Sequence, residues 1–191
     1  MNSNIPKAAL FGTSADPPTN GHEIIIRELA KKYDLVITYA SNNPSKEHQE
    51  NLYNRSLLLK TLVNSFNNSK IIFDNKITSP WAINTIDKCK TKYHLNRLDF
   101  VIGSDLLDEI FSWKNINDIL KAVKLYIIPR EDYELNKKCL DSITRVEGIF
   151  EISTFKIPKV SSSLIRYNSN FSLLPKSLIP IVKSKNLYRY K

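Results

Sequence analysis

Apolar residues fall in short unbroken blocks separated by amphipathic stretches. Lys7-Ala8-Ala9-Leu10-Phe11, ending at Gly12, shows no polar alternation and predicts a strand buried on both faces. The same pattern predicts strands over residues 34–40, 70–74, 98–102 and 123–128, the last stopped by Pro129, and a sixth around 149–153. Between the blocks the period lengthens to that of a helix. Ile25, Ile26, Leu29, Ala30 and Tyr33 share one face, and Leu59, Leu62, Val63 and Phe66 share another. Residues 81–93 and 115–122 are further helical segments. Strands without alternation, each followed by a helix, predict an α/β architecture: a Rossmann-like, doubly wound, mostly parallel sheet of five to six strands with helices on both faces. No repeat, low-complexity tract or Pro/Gly-rich linker divides the chain, so residues 1–191 read as one domain with a helical C-terminal portion from about 160.

Sheets of this class take ligands beyond the carboxyl ends of their strands, which directs attention to the loops after Phe11, Ala40, Ile102 and Ile128. The first of these reads Gly12-Thr13-Ser14-Ala15-Asp16-Pro17-Pro18-Thr19-Asn20-Gly21-His22. Gly12 leaves the strand without a side chain, so a phosphate can approach the backbone. Thr13 and Ser14 add hydroxyl donors, and the two prolines stiffen the turn. Thr19 or Asn20 caps the next helix and places Gly21 and His22 in its first turn, where free N–H groups and the dipole favour an anion. Thr19 and His22, three residues apart, can both face that anion. An imidazole so placed can donate a hydrogen bond to charge developing on a transferring phosphoryl oxygen. Near the other end of the chain, Ser161-Ser162-Ser163-Leu164-Ile165-Arg166 opens a helix with three hydroxyl residues and sets a forked cation one turn later. Arg130, at the end of the fifth predicted strand, is placed to reach a triphosphate.

Thr19-x-Gly21-His22 and the 161–166 string resemble the (H/T)-x-G-H and S-S-T-x-x-R signatures of the nucleotidyltransferase superfamily. The resemblance runs through nearly the whole chain and is greatest to the nicotinate-nucleotide adenylyltransferase family. Asn43-Pro44-Ser45-Lys46 resembles that family's basic strand-end loop, and Ser79-Pro80-Trp81-Ala82-Ile83-Asn84-Thr85 its S-Y-T-x-x-T segment. Ile102-Gly103-Ser104-Asp105, followed by Trp113, resembles its G-x-D…W block. The chain departs from the commoner opening, G-G-[ST]-F-[DN]-P-P-H, at Phe11, Ala15 and Thr19; Ser163 stands where Thr is usual, and Pro80-Trp81 where Tyr-Thr is usual.

What the resemblance implies is adenylyl transfer from ATP to nicotinate mononucleotide, giving nicotinate adenine dinucleotide and pyrophosphate with no covalent enzyme intermediate. His22, Thr19 and Arg166 would be catalytic. Gly12, Thr13, Ser14, Gly21, Gly103, Asp105, Arg130, Ser162 and Ser163 would hold ATP, and Lys46, Thr85 and Trp113 the mononucleotide. Mg²⁺ is expected to arrive coordinated by ATP, because no carboxylate cluster for a dedicated metal site is visible. Relatives acting on nicotinamide mononucleotide or phosphopantetheine are the alternatives, the latter sharing T-N-G-H and N-P-S-K strings.

Charge changes this picture little. Lys and Arg number 28 against 19 Asp and Glu, a formal +9, which attracts polyanions of any kind. The basic stretches, such as Lys88-Cys89-Lys90-Thr91-Lys92, are short and interrupted, and no recognition-helix, aromatic-platform or zinc signature accompanies them. A nucleic-acid-binding domain is therefore the weaker expectation; ATP and nicotinate mononucleotide are the expected partners, with no nucleic acid and no membrane, and a homo-oligomer stays open. Cys89 and Cys139 form no pair motif, residues 1–7 lack the apolar core of a secretion signal, and a cytoplasmic location is expected.

Overall fold

Six strands form one sheet: β1 (Ala8–Thr13), β2 (Leu35–Ala40), β3 (Ile71–Phe73), β4 (Asp99–Gly103), β5 (Lys124–Ile128) and β6 (Ile149–Ile152). The computed structural model describes residues 6–131, 133–168 and 170–189. Residues 1–5, part of the stretch read as lacking a secretion signal, lie outside the described residues. Every strand pairing is parallel, in the order β3-β2-β1-β4-β5-β6. The order reverses between β1 and β4, and the chain therefore leaves a crevice at the carboxyl ends of those strands.

The unbroken apolar blocks have a direct cause: both faces of the sheet are covered. Ala9, Phe11, Val36, Val101 and Tyr126 belong to one buried cluster, while their neighbours Ala8, Leu10, Ile37, Phe100 and Leu125 belong to the other. The first face is packed by α1 (Asn20–Lys32), α2 (Leu52–Ser65), α6 (Ser162–Asn168) and α7 (Ile179–Ser184). The second is packed by α3 (Ala82–Lys92), α4 (Ile116–Ala122) and α5 (Lys137–Arg145). At the amino ends of the strands Lys124 joins Asp99 (2.9 Å) to Glu151 (2.8 Å), tying β4, β5 and β6 together away from the crevice.

The structure corrects the predicted elements in detail. β1 continues through Gly12 to Thr13, because these residues still pair with Tyr39 and Ala40 of β2. α5 was not predicted: of its nine residues only Ile143 is buried, too thin a stripe to register as periodicity, although Asn136 caps it by accepting the Cys139 N–H at 3.2 Å. α7 begins with Pro180 in its first turn, where a missing N–H costs nothing.

Candidate functional site

A cleft of about 580 Å³ opens at the carboxyl ends of β1, β2, β4 and β5. Three of its lining residues, Gly12, Thr13 and Ser14, come from the end of β1, and His22 from the first turn of α1. Lys46 reaches it from the loop after β2; Gly103, Asp105 and Trp113 from the end of β4 and beyond; Arg130 from the end of β5. Ser162, Ser163 and Arg166 complete the wall from α6, so the two motif strings separated by some 140 residues meet in one space.

His22 is held by its own helix start. Thr19 is the N-cap of α1, and His22 Nδ1 reaches back to accept the Thr19 backbone N–H at 3.0 Å and its hydroxyl at 2.8 Å. A backbone N–H can only donate, so the proton of the neutral ring sits on Nε2, which donates to Thr13 Oγ1 at 2.7 Å. Burial, and secondarily the Arg130 cation, push the imidazole pKa down to about 4. The ring is therefore a neutral N–H donor at pH 7. Thr19 does not share the cleft as expected: it is buried, and its hydroxyl is turned onto His22. The i, i+3 spacing that lets two side chains face a ligand lets them face each other instead.

The lowered pKa carries a stability signature. With the folded value below the unfolded value of 6.5, the unfolded chain binds the extra proton first on acidification. The resulting cost is absent above pH 6.5, grows as the pH falls, and is complete below the folded pKa. It amounts to about 2 kcal/mol at pH 5. Between pH 7 and 5, His22→Gln is expected to lose correspondingly less stability than the parent in urea unfolding; equal losses would place the folded pKa near its ordinary value.

Two residues that received no role from the sequence brace the site. Asp16, buried, accepts the backbone N–H groups of Gln49 (2.8 Å) and Glu50 (3.2 Å) and the Tyr188 hydroxyl (3.0 Å). Its carbonyl accepts Arg166 Nη1 at 2.6 Å, which fixes the guanidinium beside the cleft. Arg55, buried within α2, donates to the carbonyls of Ser14 (2.7 Å), Ser41 (2.8 Å) and Glu50 (3.1 Å) and so joins the loops after β1 and β2. His48 also lines the cleft, with Nδ1 3.8 Å from Asp16 Oδ2.

Several expected contacts take a different form. The space where a Gly12 side chain would stand belongs to the Tyr39 ring: a Cβ there would lie 2.3 Å from Tyr39 Cζ, so the glycine admits the tyrosine beside the cleft that both residues line. Gly21 is buried, and a Cβ there would meet Ile157 Cγ2 at 3.2 Å; its small size lets α1 start close to the segment that leads into α6. Thr85 is fully buried, its Oγ1 accepting the Ser79 N–H at 3.1 Å, and it lines the cleft behind the 79–81 segment that it shapes. Ser162 Oγ donates to the Pro17 carbonyl at 2.8 Å, pinning α6 to the first loop, whereas Ser163 is exposed. Gly103 makes room for the Asp105 carboxylate, which pairs with Arg130 at 2.9 Å. Lys46 lies 3.9 Å from Glu109.

An aromatic corner lies in the same cleft. Trp113 packs edge-on against Phe100 with ring centroids 6.3 Å apart, and Trp81 stands partly exposed at the N-cap of α3. Among the described residues no group of three or more His, Cys, Asp or Glu side chains is arranged to hold a metal ion, and no helix is long and apolar enough to cross a membrane.

The cytidylyltransferase-like family model matches residues 10–168. A "Probable nicotinate-nucleotide adenylyltransferase" of Clostridium tetani is 31% identical over 200 residues, covering 96% of this chain and 99% of that protein. Its namesake in Synechocystis sp. is 29% identical, again across 96% of this chain and 99% of that protein. Among solved structures, Plasmodium falciparum nicotinic acid mononucleotide adenylyltransferase complexed with NaAD aligns with a TM-score of 0.76 at 19% identity, covering 97% of this chain and 98% of that one. At that identity the likeness establishes the fold.

Proposed function

The chain belongs to the cytidylyltransferase-like family, and within it to the nicotinate-nucleotide adenylyltransferases, and from that premise we propose that it joins ATP and nicotinate mononucleotide into nicotinate adenine dinucleotide, releasing pyrophosphate, in NAD biosynthesis. The observation that carries this reading is the meeting of His22 and Arg166 in one strand-end cleft. A phosphate oxygen of the mononucleotide attacks the α-phosphorus of ATP. The bond from that phosphorus to the oxygen bridging to the β-phosphate breaks, and pyrophosphate leaves with the electron pair. The nucleophile is already an anion, so no proton has to be taken from it, and a ring with a pKa of about 4 suits a donor better than a base.

The residues then divide the work by position. His22 Nε2–H turns from Thr13 to the α-phosphoryl oxygens as charge gathers there, and Thr19 keeps the opposite ring nitrogen occupied. Arg166, held by Asp16, and the exposed Ser163 would gather the leaving phosphates, with Arg130 as a further cation of the same cleft. Asp105 offers a carboxylate to ribose hydroxyls, exchanging its pairing with Arg130 for them. Trp113 and Trp81 supply apolar faces for a heteroaromatic ring. Lys46 and the segment shaped by Thr85 border the mononucleotide. Magnesium enters as part of the substrate, bound to ATP. On this reading residues 1–191 act as one nucleotidyltransferase domain, in a cytoplasm that keeps Cys89 and Cys139 reduced.

The test is pyrophosphate release with ATP and, in parallel, nicotinate mononucleotide, nicotinamide mononucleotide or phosphopantetheine. Nicotinate mononucleotide is expected to give a kcat/KM at least about tenfold above the others. Release driven only by phosphopantetheine, or by none of the three, would overturn the assignment.

A further inference from the structure

We propose that Lys114, resting on the indole of Trp81, is the residue by which this chain selects a pyridine carrying a ring carboxylate over one carrying a carboxamide. The inference rests on the adenylyl-transfer reading above and concerns what that reading leaves open, the charge on the ring.

The chemistry to be recognised is simple. The two mononucleotides share their sugar, phosphate and ring and differ by one negative charge, so discrimination needs a cation or N–H donors beside the ring. The cleft is lined by two lysines, Lys46 and Lys114. Lys46 has an acidic neighbour, Glu109, at 3.9 Å, which offsets its charge. Lys114 has no carboxylate partner among the described residues; its Nζ lies 4.8 Å from the centroid of the Trp81 ring. An indole face restrains an ammonium without neutralising it, so the cation stays near the aromatic surface with N–H donors left over for a ligand. Trp113 immediately precedes Lys114 and is fixed against Phe100 of the sheet, which places the lysine at the same aromatic corner. A ring lying against these indoles would bring its carboxylate to the one cleft lysine that lacks an acidic partner, whereas a carboxamide would leave that charge unanswered.

The two tryptophans of the chain, Trp81 and Trp113, both line the cleft, so intrinsic fluorescence reports occupancy of this corner directly. Titration of the full chain with each mononucleotide gives the ratio of dissociation constants, and steady-state assays give the ratio of kcat/KM. Lys114→Met is expected to reduce the preference for nicotinate over nicotinamide mononucleotide by about tenfold in both measurements, through Kd and KM rather than kcat. Lys114→Arg is expected to keep most of the preference. A Lys114→Met preference within about twofold of the parent's would overturn the role of Lys114 while leaving the transfer activity standing. A parent that favours nicotinamide mononucleotide would also overturn it. A parent that binds and adenylates neither compound would overturn this inference together with the function it rests on.

Discussion

Alanine in place of His22 is expected to lower kcat by about 10²–10³ while KM for ATP moves less than about threefold. The imidazole is poised for one task. Its Nδ1 is committed to Thr19, its Nε2 carries the only ring proton, and a pKa of about 4 keeps it neutral wherever the enzyme would work. That proton goes to Thr13 at 2.7 Å, so giving it to an ATP oxygen exchanges one hydrogen bond for another and gains little in the ground state. The gain comes when negative charge gathers on the oxygens of the α-phosphoryl group, which is why kcat falls and KM does not. The fold should survive. His22 is not part of either buried apolar cluster, and the lost contacts at the start of α1 cost on the order of 1 kcal/mol, the usual magnitude for a helix cap. Single-turnover kinetics with circular dichroism on the same sample separate the two effects; a kcat within about threefold of the parent's would remove His22 from the chemistry.

How far such a site can be read from sequence depends on whether a residue's partners are local. The sheet was legible because both its faces are buried, which turns each strand into an unbroken apolar block. The convergence of the Thr19–His22 and 161–166 strings was legible because each opens a helix, and helix starts at strand ends share one edge of such a sheet. The orientation of Thr19 was not, since the same spacing serves a side chain facing ligand and one facing His22. The packing of Tyr39 against Gly12 was not legible either, because nothing in the sequence shows that the β1–β2 register brings the ring there. Asp16 stood in plain view in the first loop, but its partners come from residues 49, 50, 166 and 188, and no local pattern brings those together.

Arg55 belongs to the same class, and it leads to the second large expected effect: Arg55→Met should lower unfolding stability by about 3–5 kcal/mol. Its position carried a signal. Arg55, Leu58, Leu59 and Leu62 follow the i, i+3, i+4, i+7 spacing, so a charged residue occupies the apolar stripe of α2. A surface arginine there would swing its head to solvent; this one is buried, and its pKa is lowered by that burial. What compensates is geometry. A planar fork reaches three carbonyls at once, on Ser14 in the loop after β1 and on Ser41 and Glu50 in the loop after β2. Methionine fills much of the volume but leaves those three acceptors without their donor, and the loss is theirs rather than the core's. For a chain of this length, each 1 kcal/mol shifts Tm by about 2–4 °C, so the melting point should fall by roughly 10 °C. Arg55→Lys should recover only part of it, because an ammonium is a point donor and cannot span the same carbonyls. The first loop then loses the brace that sets Asp16, and through it Arg166, beside the cleft, so KM for ATP should rise in Arg55→Met at temperatures where the protein remains folded. A melting point within about 2 °C of the parent's would show that the three carbonyls find water or other donors at little cost, and that the site is braced elsewhere.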